Sequence, residues 1–203
     1  MEEPRFLIVN ADDFGMAAAV NEGILQAHEH GIVTSTSLMV GRPAAQAAAE
    51  ALPGFPSLAA GLHLELGEED LQRQLERFRD LVGRDPTHLD SHKHVHEADK
   101  AFGVAAEALA AELEVPLRNR GIRYERSFYG GDAISPEHLI RLIESLPPGW
   151  TEIGCHPAAG PVPSSSYDAE RRIELATLRD PGVKSLLNVS DVRLCSFAQA
   201  SGI

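Results

Sequence analysis

The sequence predicts an α/β protein, a single-domain (β/α) barrel over residues 1–203 with its active site at the C-terminal ends of the strands. Three observations carry this. Strand-like and helix-like segments alternate from end to end, which calls for a parallel sheet joined by helical crossovers. The 203 residues suffice for one substantial core and are too few for two comfortable domains. Chemically capable residues (Asp12 with Asp13, His63, His92 and His156) fall at the ends of four different expected strands. In a parallel barrel such positions converge on one face.

The elements follow in order. Phe6-Leu7-Ile8-Val9 reads as a buried strand leading into Asn10-Ala11-Asp12-Asp13-Phe14-Gly15, and Ala17 to His30 as a helix closed by Gly31 in the C′ position. Ser35 to Val40 is a strand, Ala44 to Leu52 an Ala-rich helix and Ala59 to Leu64 a strand. Glu69 to Val82 is an amphipathic helix with Leu71, Leu75, Phe78 and Val82 on one side. A short strand precedes the His-rich segment at 87–96. Ala101 to Leu113 is a helix, Pro116 to Arg118 a candidate strand, and Pro136 to Leu146 a helix capped by Ser135. Trp150 to Cys155 is a strand ending in His156-Pro157, Ala169 to Leu178 a helix after the Pro/Ser-rich loop Pro161 to Ser166, and Val192 to Phe197 the closing strand.

Composition narrows the function classes. With 43% hydrophobic and 24% charged residues the chain reads as an ordinary soluble protein. A net charge of −12, with no Lys/Arg block against it, repels phosphate backbones and anionic lipid, which argues against nucleic acid or a membrane surface as partner. No apolar run approaches a membrane span. Met1-Glu2-Glu3-Pro4 does not read as a signal peptide, and Cys155 and Cys195 read as core residues, so a cytoplasmic location is expected.

Thr87-His88-Leu89-Asp90-Ser91-His92-Lys93-His94-Val95-His96 holds four of the nine histidines and a carboxylate. Core packing asks for no such cluster, whereas metal binding and acid–base chemistry do. If the stretch stays extended, His92, His94 and His96 share a face. A solvated His-rich turn is the bland alternative. Asp12 and Asp13 sit side by side where one could ligate a metal and the other handle a proton, or where an Asp simply caps the next helix. His63, alone in an apolar strand, reads first as a core residue; Pro157 pins the backbone beyond His156. The Asp13-Phe14-Gly15 match to a kinase magnesium triplet is spurious, because no Gly-rich loop or His-Arg-Asp loop accompanies it.

The blocks Asn10–Gly15, Gly31–Ser37, Gly61–Leu64, Pro86–His96 and Glu152–Pro157 resemble the signature blocks of the YdjC-like carbohydrate deacetylases, in family order. That family includes chitooligosaccharide and hopanoid-biosynthesis-associated deacetylases. The resemblance implies a single-domain distorted (β/α) barrel and a metal-dependent hydrolase that removes an N-acetyl group from an amino sugar. It implies one divalent metal, magnesium or zinc before manganese, cobalt or iron, held by Asp13, His63 and His92. Asp12 would be the general base and His156 the general acid. His94, His96, Asp90 and Arg118 would stand behind these or face the substrate, with Arg118 pairing with the base. The implied partner is a small N-acetylated sugar or glycoconjugate.

The chain departs from the family pattern in one respect that matters, the segment after His63, and in a minor one, Lys93. The segment from Leu64 to the Glu69–Val82 helix is much shorter than in the family, and Lys93 stands where the family usually has a histidine. A more open pocket is then expected, with either weak preference for chain length or a homodimer whose second subunit completes the site. Hydrolysis of another amide or ester is the enzymatic alternative. A non-catalytic sugar-binding relative is disfavoured by the completeness of Asp12, Asp13, His63, His92 and His156.

Overall fold

The computed structural model describes residues 3–67 and 70–200. Its strands are β1 (Arg5–Phe14), β2 (Ser35–Leu38), β3 (Ala59–Leu64), β4 (Leu89–Ser91), β5 (Arg123–Glu125), β6 (Gly149–Cys155) and β7 (Val192–Cys195). The helices are α1 (Ala18–Glu29), α2 (Ala45–Ala51), α3 (Leu71–Val82), α4 (Val95–Ala98), α5 (Lys100–Leu113), α6 (Pro136–Glu144), α7 (Asp168–Leu178) and α8 (Pro181–Val189). All strand pairs are parallel, in the order β4-β3-β2-β1-β6-β5, with β7 also on β1.

Strand β1 organises the wall. One edge pairs with β6 from Arg5 to Ala11; the other is shared, β7 taking Arg5 to Ile8 and β2 taking Asn10 to Phe14. Pleating sends alternate residues to opposite faces. Leu7, Val9 and Ala11 join the large apolar cluster that includes Ile24, Phe78, Leu109, Leu139 and Leu175 of the outer helices. Ile8 points the other way, into a small cluster with Ile122, Phe197 and Ala200. Asn10 and Asp12 continue that inward row, so the barrel interior is apolar at one end and polar at the other.

The wall closes imperfectly. Leu117 makes a single bridge to Leu89 of β4, β5 pairs with β6, and residues 118–122 span the gap between them. The expected strand Pro116 to Arg118 is therefore only that one bridge, because the chain leaves the ladder to place Arg118 inside. Strand β5 and helix α8 were not expected. The first is three residues of charged and aromatic character, too short for a period, while α8 carries a readable start in Asp180, which accepts from the Gly182 and Val183 amides, followed by Pro181. The expected start of α3 at Glu69 lies outside the described residues; Asp70 caps the helix by accepting from the Arg73 amide, and Gly83 ends it in the left-handed region.

Two glycines are required by close approach. Gly31 does not adopt the left-handed C′ conformation; a Cβ there would lie 2.5 Å from the Leu178 carbonyl oxygen. Gly23, on the face of α1 against the segment after β6, would put a Cβ 2.4 Å from the Ala158 Cα. Backbone cannot yield as a side-chain tip can. Gly23→Ala is expected to cost about 1–3 kcal/mol, the scale of overpacking, read as a lower urea midpoint at unchanged m-value.

Candidate active site

The barrel's polar end opens into a pocket of about 790 Å³ lined by Asp12, Asp13, His63, His92, His94 and His156, with Tyr124, Tyr129, Tyr167 and Arg171 among the others. Adjacent residues in a regular strand face opposite ways, yet Asp12 and Asp13 both reach it. A bulge explains this. Ala11 pairs with Thr36 and Phe14 with Leu38, so two residues of β1 oppose Ser37 alone, and Asp13 takes a φ of 67°. The extra residue re-aims the second carboxylate, a common use of bulges beside active sites.

Asp13, His63 and His92 offer one ligand atom each, all within 4.8 Å of one another. The Asp13 Oδ1 lies 3.2 Å from His92 Nδ1 and 3.5 Å from His63 Nε2. The other nitrogen of His63 is 2.7 Å from Asp90 Oδ1, which fixes the ring with Nε2 toward Asp13, as in carboxylate–histidine–metal arrangements. Two imidazoles and one carboxylate, with His63 oriented from behind by Asp90, fit a divalent cation with open positions. Burial opposes protonation of His63, but Asp90, Asp12 and Asp13 outweigh it and raise its pKa to about 9; the same carboxylates would attract a cation. Burial likewise opposes ionisation of Asp13, and His92, His156, His63 and Arg171 overturn that, holding its carboxyl well below the usual range.

Asp12 faces a different partner. Arg118, fully buried, donates from Nη1 to Asp12 Oδ2 at 2.6 Å and from Nη2 to Oδ1 at 2.7 Å. The same guanidinium reaches Glu152 Oε1 at 2.8 Å through Nε and Asp90 Oδ2 at 3.0 Å. Asn10 donates to Asp12, Ser37 and Asp90, and Ser37 donates to Asp90 at 2.7 Å. Desolvation works against ionising Asp12, but Arg118 prevails and lowers its pKa. Glu152 goes the other way: burial lifts it to about 7 although Arg118 opposes.

At the end of the neighbouring strand β6, His156 Nε2 stands 3.9 Å from Asp12 Oδ2. Glu174 of α7 accepts the His156 backbone amide and, at 2.6 Å, the Tyr167 hydroxyl; its Oε1 lies 3.8 Å from His156 Nδ1, a charge contact rather than a hydrogen bond. Burial works against the imidazolium, but Glu174, Asp12 and Asp13 together raise the His156 pKa. Tyr129 stacks on Tyr167 at 4.6 Å between ring centroids, and both rings stand edge-on to His156 at 5.6 Å.

The His-rich segment does not stay extended. Lys93 and His94 take left-handed φ values of 54° and 52°, and the Ser91 hydroxyl accepts the His96 amide, so the chain turns into α4. The three histidines therefore diverge. His92 faces Asp13. His94 lines the pocket, its ring 5.1 Å from Tyr124. His96 is buried behind the site, with Nδ1 2.5 Å from Ser91 Oγ and Nε2 3.3 Å from the Arg118 carbonyl, and is not substrate-facing. Asp90 sits between His63 and Arg118. His88 is buried against Phe197 at 3.8 Å and is neutral at ordinary pH, its pKa lowered to about 4 by burial. The sequence reading assigned nothing to Glu174 or Arg171. They lie three residues apart on the same helix, both buried, two charged residues turned inward that only an excess of charge on an apolar face could have signalled.

The family model of YdjC-like proteins matches residues 6–71 and 67–189. A carbohydrate deacetylase of Geobacillus stearothermophilus is 36% identical over 243 positions, covering 97% of this chain and 98% of that one. A chitooligosaccharide deacetylase of Serratia marcescens is 32% identical over 250 positions, covering 95% and 98%. Both alignments are longer than this chain, so these relatives carry stretches with no counterpart here. Among solved structures, a proposed cellobiose-phosphate cleavage protein of Enterococcus faecalis V583 superposes with a TM-score of 0.85 at 28% identity, covering 98% and 99%. A family 4 carbohydrate esterase of Streptomyces lividans shares the fold with a TM-score of 0.61 at 10% identity, covering 96% and 92%.

Proposed function

Because this chain belongs to the YdjC-like family, we propose that it is a metal-dependent carbohydrate deacetylase, hydrolysing the N-acetyl group of a small amino sugar. The observation that carries this is the division of labour at the β1 bulge. One carboxylate, Asp13, is turned to two imidazoles and the other, Asp12, to a guanidinium and an imidazole. A cation site and an acid–base pair thus share one pocket wall.

Asp13, His63 and His92 would hold the metal, zinc or magnesium in our reading, with manganese, cobalt and iron also suited to two nitrogens and one oxygen. When bound, such an ion lowers the pKa of water and withdraws electrons from the acetyl carbonyl. Asp12 takes the attacking water's proton. Arg118 keeps it ionised and holds both its oxygens in plane, so the carboxylate is aimed before substrate arrives. His156, protonated, gives its proton to the leaving nitrogen, without which amide cleavage stalls. At 3.9 Å apart, base and acid are close enough to serve the same scissile bond from one side of it. Tyr129 and Tyr167 offer an aromatic face beside His156 on which a sugar ring can stack.

The His156 pKa carries a sign that can be checked. An acid works protonated, so activity holds below its pKa and falls as pH rises through it. Glu174 raises that pKa, so Glu174→Gln is expected to move the alkaline limb of kcat/KM to lower pH. An unmoved limb would remove Glu174 from the account.

A cytoplasmic, single-domain enzyme is the setting we propose, supported by two free, buried cysteines; among the described residues no helix is long and apolar enough to cross a membrane. The test of substrate class is acetate release from mono-, di- and tri-N-acetylglucosamine, with an equal appearance of free amine. Because the stretch after His63 is short, kcat/KM should depend weakly on chain length, or rise only where the protein dimerises. Release from none of these sugars, with release from simple esters, would transfer the function to another acyl substrate.

A further inference from the structure

Two arginines are buried among the described residues, Arg118 and Arg171. The first serves Asp12. Arg171, 3% exposed, comes from α7 and donates from Nη2 to Asp13 Oδ2 at 2.6 Å. Its Nε donates to Ser165 Oγ at 3.2 Å and its Nη1 to the His156 carbonyl at 3.4 Å. Contacts to three separate segments fix the guanidinium plane, so its hold on Asp13 is not a loose surface pairing.

The consequence falls on Asp13. Its Oδ1 faces both imidazoles, while Oδ2 is engaged by Arg171. A free aspartate could give both oxygens to a cation; this one has a single oxygen to give. The charge balance changes too. Two neutral imidazoles and one carboxylate carry −1, and the adjacent guanidinium cancels it.

We propose that Arg171 is a positioning residue that restricts Asp13 to one-oxygen ligation and offsets its charge, so that the ion is held loosely and stays strongly electron-withdrawing. This rests on the metal site assigned above. A fixed positive charge beside the site opposes binding of a divalent cation, and a ligand set of low net charge leaves more of the ion's own charge for the substrate carbonyl. Losing Arg171 should then tighten metal binding while slowing the reaction. A residue that merely supported the fold would do the reverse to the metal, because a loosened Asp13 binds less well.

The opposed signs make the experiment decisive. Dissociation constants for Zn²⁺ and Co²⁺ are measured by chelator competition for the wild type, Arg171→Met, Arg171→Gln and Arg171→Lys. Roughly tenfold or greater tightening is expected in the Met and Gln variants, with Lys near wild type, since Lys keeps the charge. Visible absorption of the Co²⁺-loaded Met variant should weaken as Asp13 gains a second contact. The Gln amide can still donate to Asp13, so this variant decides the matter if Met does not fold. Unchanged or weaker Zn²⁺ binding in folded Arg171→Gln overturns the proposal and leaves the metal site standing. A wild type that binds neither ion overturns both.

Discussion

Asp12→Asn is expected to lower kcat by roughly 10²–10⁴-fold, the usual scale for losing a general base, with bound metal unchanged. The amide fills the same space and can still accept from Arg118, whose other bonds to Glu152 and Asp90 persist. What it cannot do is take a proton. Asp13 cannot substitute, since its oxygens face the two imidazoles and Arg171. KM should move little, because a base acts in the transition state rather than in binding. Single-turnover kinetics with metal analysis on the same sample checks this, and near-normal turnover would pass the role of base to another group.

Arg118→Met should be the most destabilising of the substitutions considered, by about 3–5 kcal/mol, because it strips a buried set of carboxylates of its counter-charge. Asp12, Asp90 and Glu152 all contact this guanidinium, and all are buried. Against burial, Arg118 lowers Asp12, and His63 with Arg118 lowers Asp90. Groups lowered on folding stabilise above their ordinary carboxylate pKa, and that stability is lost as pH falls through the folded value. The deficit of the variant is therefore greatest near neutrality and shrinks in acid, where the orphaned carboxylates take up protons. Urea titrations at several pH values test this; a pH-independent deficit would point to packing instead of charge.

How much of this was legible in the sequence differs by element. The alternation of β1, α1, β2, α2 and β3 stood out because each has a clear apolar period or run. The polar end of the barrel could be inferred from Asp12, His63, His92 and His156 all falling at strand ends. The turn of the His-rich segment was not legible, because an extended and a left-handed path for Lys93 and His94 have the same composition; the Ser91 hydroxyl, bonded to the His96 amide and 2.5 Å from its ring, selects between them. The bulge at Asp13 was hidden for a related reason, since pairing with β2 creates it. Glu174 and Arg171 belong to a helix whose charged residues look like a solvated face until the tertiary structure buries two of them.

The account stands most directly on acetate release from N,N′-diacetylchitobiose by metal-stripped protein as Zn²⁺ or Mg²⁺ is added back, run beside His92→Ala. The expected result is no release without metal, full recovery near one ion per chain, and no recovery in His92→Ala, which keeps too few ligands to retain the ion. Equal release by stripped and reloaded protein, or full recovery in His92→Ala, would contradict the assignment of Asp13, His63 and His92 as the centre of the reaction.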